Sequence, residues 1–130
     1  MENIKVPVSP GEVLDKITIL EIKSERMSDP EKVANVRAEL ALLQETWDGN
    51  IRDSNVIQDL HAKLKEINEA LWEIEDDIRD KERAKEFDER FIELARAVYV
   101  TNDLRSQVKK ELNLHLGSEI IEEKSYQDYS

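Results

Sequence analysis

The sequence predicts an all-α protein: a four-helix antiparallel bundle or a long helical hairpin with coiled-coil-like seams, preceded by a short extended arm. Charged residues make up 38% of the 130 residues, and the chain holds only 3 glycines and 3 prolines. Apolar residues recur at alternating steps of three and four. Few turn residues and a helical period are typical of long helices rather than of sheets. The length suits one domain, so we expect residues 1–130 to form a single helical domain.

The longest predicted helix covers residues 54–86, and the other helices are expected to pack along it. Its apolar positions repeat every 3.5 residues on average, which indicates a seam that lies against another helix. The seam residues are Ile57, Leu60, Leu64, Ile67, Leu71, Ile74 and Ile78. The nearly continuous charge over 80–86 predicts a solvated helix end.

Three further helices are predicted, over residues 10–27, 30–48 and 88–116. Ser9, with Pro10 after it and Glu12 three residues on, forms a capping box with a proline start, and Ser28-Asp29-Pro30-Glu31 repeats that signal. Gly49 is placed to end the second helix in the left-handed conformation. The short connection after it predicts that the second and third helices are antiparallel neighbours.

Two features predict a homodimer. The first helix is apolar on two sides, which is typical of a helix that is central in a bundle or shared between subunits. Trp72 lies at position b of the heptad, off the main seam, where a lone tryptophan would be exposed. We therefore expect two subunits to bury these surfaces.

The two ends of the chain are predicted to lie outside the helices. Residues 1–8 alternate apolar side chains around Pro7, which predicts an extended segment, either an edge strand or an arm lying on the bundle. Residues 118–130 form an acidic tail.

The net charge of −11 restricts the partners. A surface this negative repels phosphate backbones and anionic membranes, so we expect no nucleic-acid or membrane binding, whereas a basic protein partner or a metal cation is compatible. Cysteine is absent, which removes disulfides and thiolate sites. No apolar run approaches the length of a membrane span and no signal-like segment begins the chain, so a cytoplasmic protein is expected.

Polar side chains beside the seam form one candidate site. Glu75 and Asp77 flank the seam, where half-buried carboxylates need donors from other helices. The apolar face of the fourth helix is interrupted at Asn102 and Asp103. We favour an ion-pair network that fixes the register, and the alternative is a pocket that binds a small ligand. The candidate polar cluster comprises Lys16, Lys23, Glu75, Asp77, Arg79, Asn102, Asp103 and Arg105.

A second candidate site is a metal centre. Glu73 and Asp76 form an E-x-x-D pair, the spacing with which helical nucleotide pyrophosphohydrolases bind Mg²⁺, and Glu21 and Glu25 supply further acids. The heptad, however, places Glu73 at c and Asp76 at f, on the face away from the seam, which favours a solvated stripe. Magnesium is expected only under this alternative, and otherwise no cofactor.

Other catalytic chemistry finds little support in the sequence. His61 and His115 are single histidines without a histidine one turn away, and no glycine-rich phosphate loop is present. The leading interpretation is therefore a non-catalytic protein-interaction module that uses its acidic face or its tail. An enzyme is the less favoured reading.

Four stretches of the chain are distinctive: KVPVSPGEVLDKITILEIK at 5–23, LWEIEDDIR at 71–79, FIELARAVYVTNDLR at 91–105 and GSEIIEEKSY at 117–126. Together they resemble a family of short all-helical proteins of bacteria and phages that is known only as a domain of unknown function. The resemblance implies no particular activity. It implies that the polar groups within these stretches are the ones to test: Lys16, Glu21, Lys23, Glu75, Asp76, Asp77, Arg79, Asn102, Asp103, Arg105 and Lys124.

Overall fold

The computed structural model describes residues 1–129 and confirms the all-α prediction. Four helices follow one another: α1 (Pro10–Arg26), α2 (Pro30–Asn50), α3 (Asn55–Ala84) and α4 (Glu89–His115). No strand occurs within the described residues, and residues 1–8 form an exposed arm outside the helices rather than an edge strand. In that same range no helix combines the length and the apolar character that crossing a membrane requires.

Local signals set the starts of the helices. The side chains of Ser9, Asp29, Ser54 and Asp88 each accept a hydrogen bond from a backbone N–H of the first turn, which satisfies donors that lack a partner within the helix. The capping box at Ser9 is only half formed: Ser9 Oγ accepts from the Glu12 N–H, but the Glu12 carboxylate accepts from Lys109 on α4 instead.

The end of α2 differs from the prediction. The prediction that Gly49 ends α2 in the left-handed conformation is wrong, because α2 continues to Asn50 and Ile51 caps it in an extended conformation. Buried Trp47 belongs to the core, and its packing holds this last turn helical. Lys85, at φ 58°, and Gly117, at φ 64°, take the left-handed conformation after α3 and α4, where orphan carbonyls are satisfied.

Helix α1 is central. It packs against α2, α3 and α4, whereas α2 packs along α1 and not along α3. The prediction that α2 and α3 are antiparallel neighbours is therefore wrong: α2 is also joined to α1 by a short connection, residues 27–29, and it packs along α1 instead. Because α1 is enclosed within one chain, its two apolar sides do not require a second subunit.

The core lies at one end of the α3–α4 hairpin, where α1 begins and α2 ends. The seam of α3 is fully buried at Ile57, Leu60 and Leu64 and only half-buried from Ile67 onward. The buried apolar cluster comprises Leu14, Ile17, Trp47, Ile57, Leu60, Leu64, Val108 and Leu112. Beyond it the hairpin continues with thinner cover, and a groove opens where α1 passes over it.

Candidate functional site

A buried ion pair joins α1 to α4. Asp15 is 1% exposed, and its carboxylate accepts hydrogen bonds from both Nε and Nη2 of Arg105. The hydrogen bond from Nε to Oδ1 measures 2.8 Å. The Arg105 side chain is 29% exposed, so one partner is dry and the other is partly solvated. Bidentate pairs of this kind are strong and geometrically specific. The hydrogen bonds from Arg105 to Asp15 raise the pKa of the guanidinium above its usual value.

Helix α3 completes this pair. The Asn68 amide on α3 donates to Asp15 Oδ1 at 3.0 Å and to Thr18 Oγ1 at 2.9 Å. Thr18 Oγ1 in turn donates to the Asp15 carbonyl oxygen at 2.8 Å. We call Asp15, Thr18, Asn68 and Arg105 the polar node. Within the described residues no buried side-chain polar atom lacks a hydrogen-bond partner, so the node is complete without a ligand.

A second set of polar contacts fixes the start of α1 on the end of α4. The Gly11 N–H donates to Asn113 Oδ1 at 2.7 Å, and a Cβ at Gly11 would lie 2.7 Å from the Lys109 carbonyl oxygen. Lys109 Nζ lies 2.8 Å from Glu12 Oε2 and 3.1 Å from Glu122 Oε2. Burial alone would lower the pKa of Lys109, but its hydrogen bonds to both carboxylates outweigh burial and raise it.

The groove lies beside the polar node, between α1, α3 and α4, with a volume of about 430 Å³. Its floor is apolar, with buried Ile22, half-buried Leu71 and half-buried Trp72. The acidic side chains of Glu75 and Asp76 line it. Pockets of roughly 300–1,000 Å³ with an apolar lining and few polar groups are typical of binding sites.

The charges in the groove are mostly satisfied internally. Arg79 donates to the carboxylate and to the carbonyl oxygen of Glu75, one helical turn earlier. Arg105 is held by Asp15. Among the described residues, Asp76 forms no hydrogen bond or ion pair, and it is exposed. The groove therefore carries one uncompensated negative charge beside the Trp72 ring.

The structure divides the predicted polar cluster into three groups. Glu75, Arg79, Asn102 and Arg105 come together in the groove, and Arg105 also donates to Asn102 Oδ1 at 3.3 Å. Asp103 instead pairs with Lys124 of the C-terminal segment at 3.0 Å. The remaining members do not line the groove: Asp77 borders a different cavity with Lys81, Lys16 is exposed and Lys23 is half-buried.

The four acids of the predicted metal centre do not share one site. Glu21 lies 2.7 Å from His61, Glu25 lies 2.6 Å from Lys65, and Glu73 lies 3.4 Å from Arg26. Asp76 lines the groove without them. Across residues 1–129, no three histidine or acidic side chains gather in a group suited to hold a metal ion.

Sequence reasoning missed the centre of the polar node. Asp15 and Thr18 lie in the same helical stripe as Gly11 and Ile22, all four of which are buried. A charged residue inside such a stripe is a recognisable signal, because a buried carboxylate requires a partner. Its partner is 90 residues away in the chain, so the pairing itself has no local signature.

A family model described as "Family of unknown function (DUF6165)" matches residues 4–129, nearly the whole chain. No curated protein and no solved structure matches the chain. The chain therefore belongs to the family of unknown function DUF6165.

Proposed function

We propose that this protein is a non-catalytic protein-interaction module that binds a basic segment of a partner protein in the groove between α1, α3 and α4. The observation that carries the proposal is the pairing of an apolar floor with one uncompensated carboxylate, Asp76. An apolar side chain of the partner would occupy the floor, and a neighbouring lysine or arginine would meet Asp76.

The electrostatics support a basic ligand. The net charge of −11 attracts basic segments over the range of the Debye length and accelerates their association. Half-buried Trp72 offers an aromatic surface beside Asp76, and tryptophan is the best ring for a cation–π contact. A buried aromatic anchor with a charged rim is the usual organisation of an interface hot spot.

The test uses a short amphipathic peptide of lysine and leucine as the probe and a peptide of glutamate and leucine as its control. The chain has 2 tryptophans, so its ¹⁵N spectrum contains two indole N–H signals. We expect the lysine peptide to shift the signal of Trp72, while that of core residue Trp47 stays unchanged. The glutamate peptide is expected to shift neither.

A matched pair of variants distinguishes a direct contact in the groove from long-range attraction by the net charge of the protein. Asp76→Lys and Asp59→Lys change the net charge equally, but exposed Asp59 lies outside the groove. We expect Asp76→Lys to weaken peptide binding about tenfold, as for a contacting charge, and Asp59→Lys to weaken it about twofold through long-range attraction. Equal effects of the two variants would contradict binding in the groove.

A second candidate, a small-ligand binder, is favoured by the convergence of Glu75, Asn102 and Arg105 in the same groove. The magnesium-dependent hydrolase has less support, since three of its four acids have separate basic partners. Thermal melts with nucleotides and millimolar Mg²⁺ test both functions. A stabilisation lost in Glu73→Gln/Asp76→Asn favours the hydrolase, and one lost in Asn102→Ala favours the ligand binder.

We also propose that the chain forms a homodimer. Trp72 is half-buried in the groove, and the apolar surface that suits self-association lies instead on α4. Ile92, Val100 and Leu104 are 55%, 40% and 47% exposed and fall within roughly a 120° sector of the helix at 100° per residue. A dimeric mass by light scattering at tens of micromolar, lost in Leu104→Glu, is the expected result. A monomeric mass for the unmodified chain would contradict it.

A further inference from the structure

The segment over residues 118–129, here called the tail, lies back along α4. Glu122 Oε2 lies 3.1 Å from Lys109 Nζ, and Glu123 Oε2 lies 3.2 Å from Lys110 Nζ. Lys124 Nζ lies 3.0 Å from Asp103 Oδ1. At the far end the ring of Tyr129 meets the ring of Tyr99 edge-on, with centroids 5.1 Å apart. We call the α4 residues Tyr99, Asp103, Lys109 and Lys110 the strip.

The tail is held mainly by charge. Ile120, Tyr126 and Tyr129 are exposed by 43%, 83% and 56%, and Ile121 is half-buried. Glu123–Lys110 and Lys124–Asp103 are exposed or half-buried ion pairs, which weaken as salt increases, whereas Glu122 pairs with buried Lys109. Release of the tail breaks these ion pairs without unfolding a helix.

The connection between tail and helix is a single turn. Gly117 takes φ 64°, and the N–H of Ser118 donates to the Asn113 carbonyl oxygen at 2.9 Å. The ion pairs of Glu122, Glu123 and Lys124 all go to α4. An identical tail on another copy of the chain therefore offers the strip the same groups, and exchange of an identical element is a low-cost route to association.

We propose that the strip is a docking site for the tail of a second copy of this chain. In the unmodified protein the chain's own tail fills the strip, because a short tether gives it an effective concentration in the millimolar range. Docking of a second copy's tail becomes visible when the internal contact is made repulsive. The proposal depends neither on the groove nor on the apolar face of α4.

Charge reversal on full-length chains provides the test. The strip variant carries Asp103→Lys and Lys110→Glu, and the tail variant carries Glu123→Lys and Lys124→Glu. In each variant the strip repels the tail, both within one chain and between two copies of the same variant. The strip of one variant, however, has charges opposite to those of the tail of the other variant, so these two attract each other. A restored variant with all four changes regains its internal match. Circular dichroism checks that every variant keeps its helices.

The readout is fluorescence anisotropy of the tail variant. The chain contains no cysteine, so Ser130→Cys, at the residue that follows the tail in the sequence, gives one labelling position. Unlabelled strip variant is titrated to about 1 mM, the order of the tethered concentration. We expect the strip variant to reach half-saturation at a concentration at least about tenfold lower than the restored variant does. Tenfold corresponds to a difference in binding free energy of about 1.4 kcal/mol. Added salt should weaken the binding.

The restored variant also serves as a control for dimers that form through surfaces other than the strip. A dimer formed through any other surface raises the anisotropy equally with the strip variant and the restored variant. Equal titration curves for the two, or no change with either, would overturn the proposal.

Discussion

Substitution of Asp15 and substitution of Arg105 are expected to lower the free energy of unfolding by different amounts, although both break the same ion pair. Removing one partner of a buried pair costs roughly 3–5 kcal/mol because a charge stays behind without compensation. In Arg105→Met the remaining charge is that of Asp15, which is 1% exposed and cannot be rehydrated. In Asp15→Asn the remaining charge is that of Arg105, whose side chain is 29% exposed and reaches water.

We therefore expect Arg105→Met to lower the free energy of unfolding by roughly 3–5 kcal/mol and Asp15→Asn by roughly 1–3 kcal/mol. The double variant is expected to cost less than the sum, with a coupling of about 1–3 kcal/mol. Urea unfolding of the four chains measures all three quantities. Arg79→Met is the control: it removes an arginine that is 67% exposed and paired within its own helix, so we expect a loss below about 0.5 kcal/mol.

A larger loss of unfolding free energy in Asp15→Asn than in Arg105→Met would contradict the unequal exposure of the two charges as the cause. Additive single effects would contradict the expected coupling, because they would mean that the two side chains do not stabilise each other in the folded state.

Three further predictions concern packing and the tail. Gly11→Ala should lower the free energy of unfolding by roughly 1–3 kcal/mol, since its Cβ would lie 2.7 Å from a backbone oxygen of α4. Gly49→Ala, with nothing within 4 Å, should be neutral or raise stability by up to about 1 kcal/mol, and urea unfolding compares the two. Leu64→Ala should cost roughly 2–5 kcal/mol by the same measurement, because Leu64 is 0% exposed. The hydrogen bond from Lys124 lowers the pKa of Asp103 below its ordinary value, so the stabilisation that this pair gives the docked tail should be complete above the ordinary pKa and be lost as the pH falls through the lowered pKa. A label on Ser130→Cys should then lose anisotropy on acidification, and Asp103→Asn should remove the part of this loss that Asp103 contributes, since Glu122 and Glu123 keep their ion pairs with Lys109 and Lys110.

The helices were predictable because their signals are local. An N-cap satisfies donors within its own first turn, so Ser9 and Ser54 act the same way whatever packs around them. The end of α2 was not predictable in this way. Gly49 permits a left-handed cap but does not require one, and the core contacts of Trp47 keep the last turn helical.

The candidate site was predictable only in part, for a related reason. A heptad assigns the side of a helix on which a residue lies, but it does not say which neighbour covers that side. Glu75 and Asp77 flank the same seam, yet α1 and α4 enclose the groove only on the side of Glu75. The sequence does not mark Asp15 as a site residue, because charge on a helix usually indicates the solvent face, and only the fold brings Arg105 to it.

The polar node determines the charge of the groove that it borders. Counted by residue type, the groove contains two arginines and two acids, which suggests a neutral site. The geometry gives a different result, because Arg105 is held by Asp15 and Arg79 by Glu75. The charge left for a partner is that of Asp76. A substitution of Asp15 should therefore act on binding as well as on stability: it frees the Arg105 guanidinium at the groove and should weaken the lysine peptide, which makes the node a positioning element for the proposed interface.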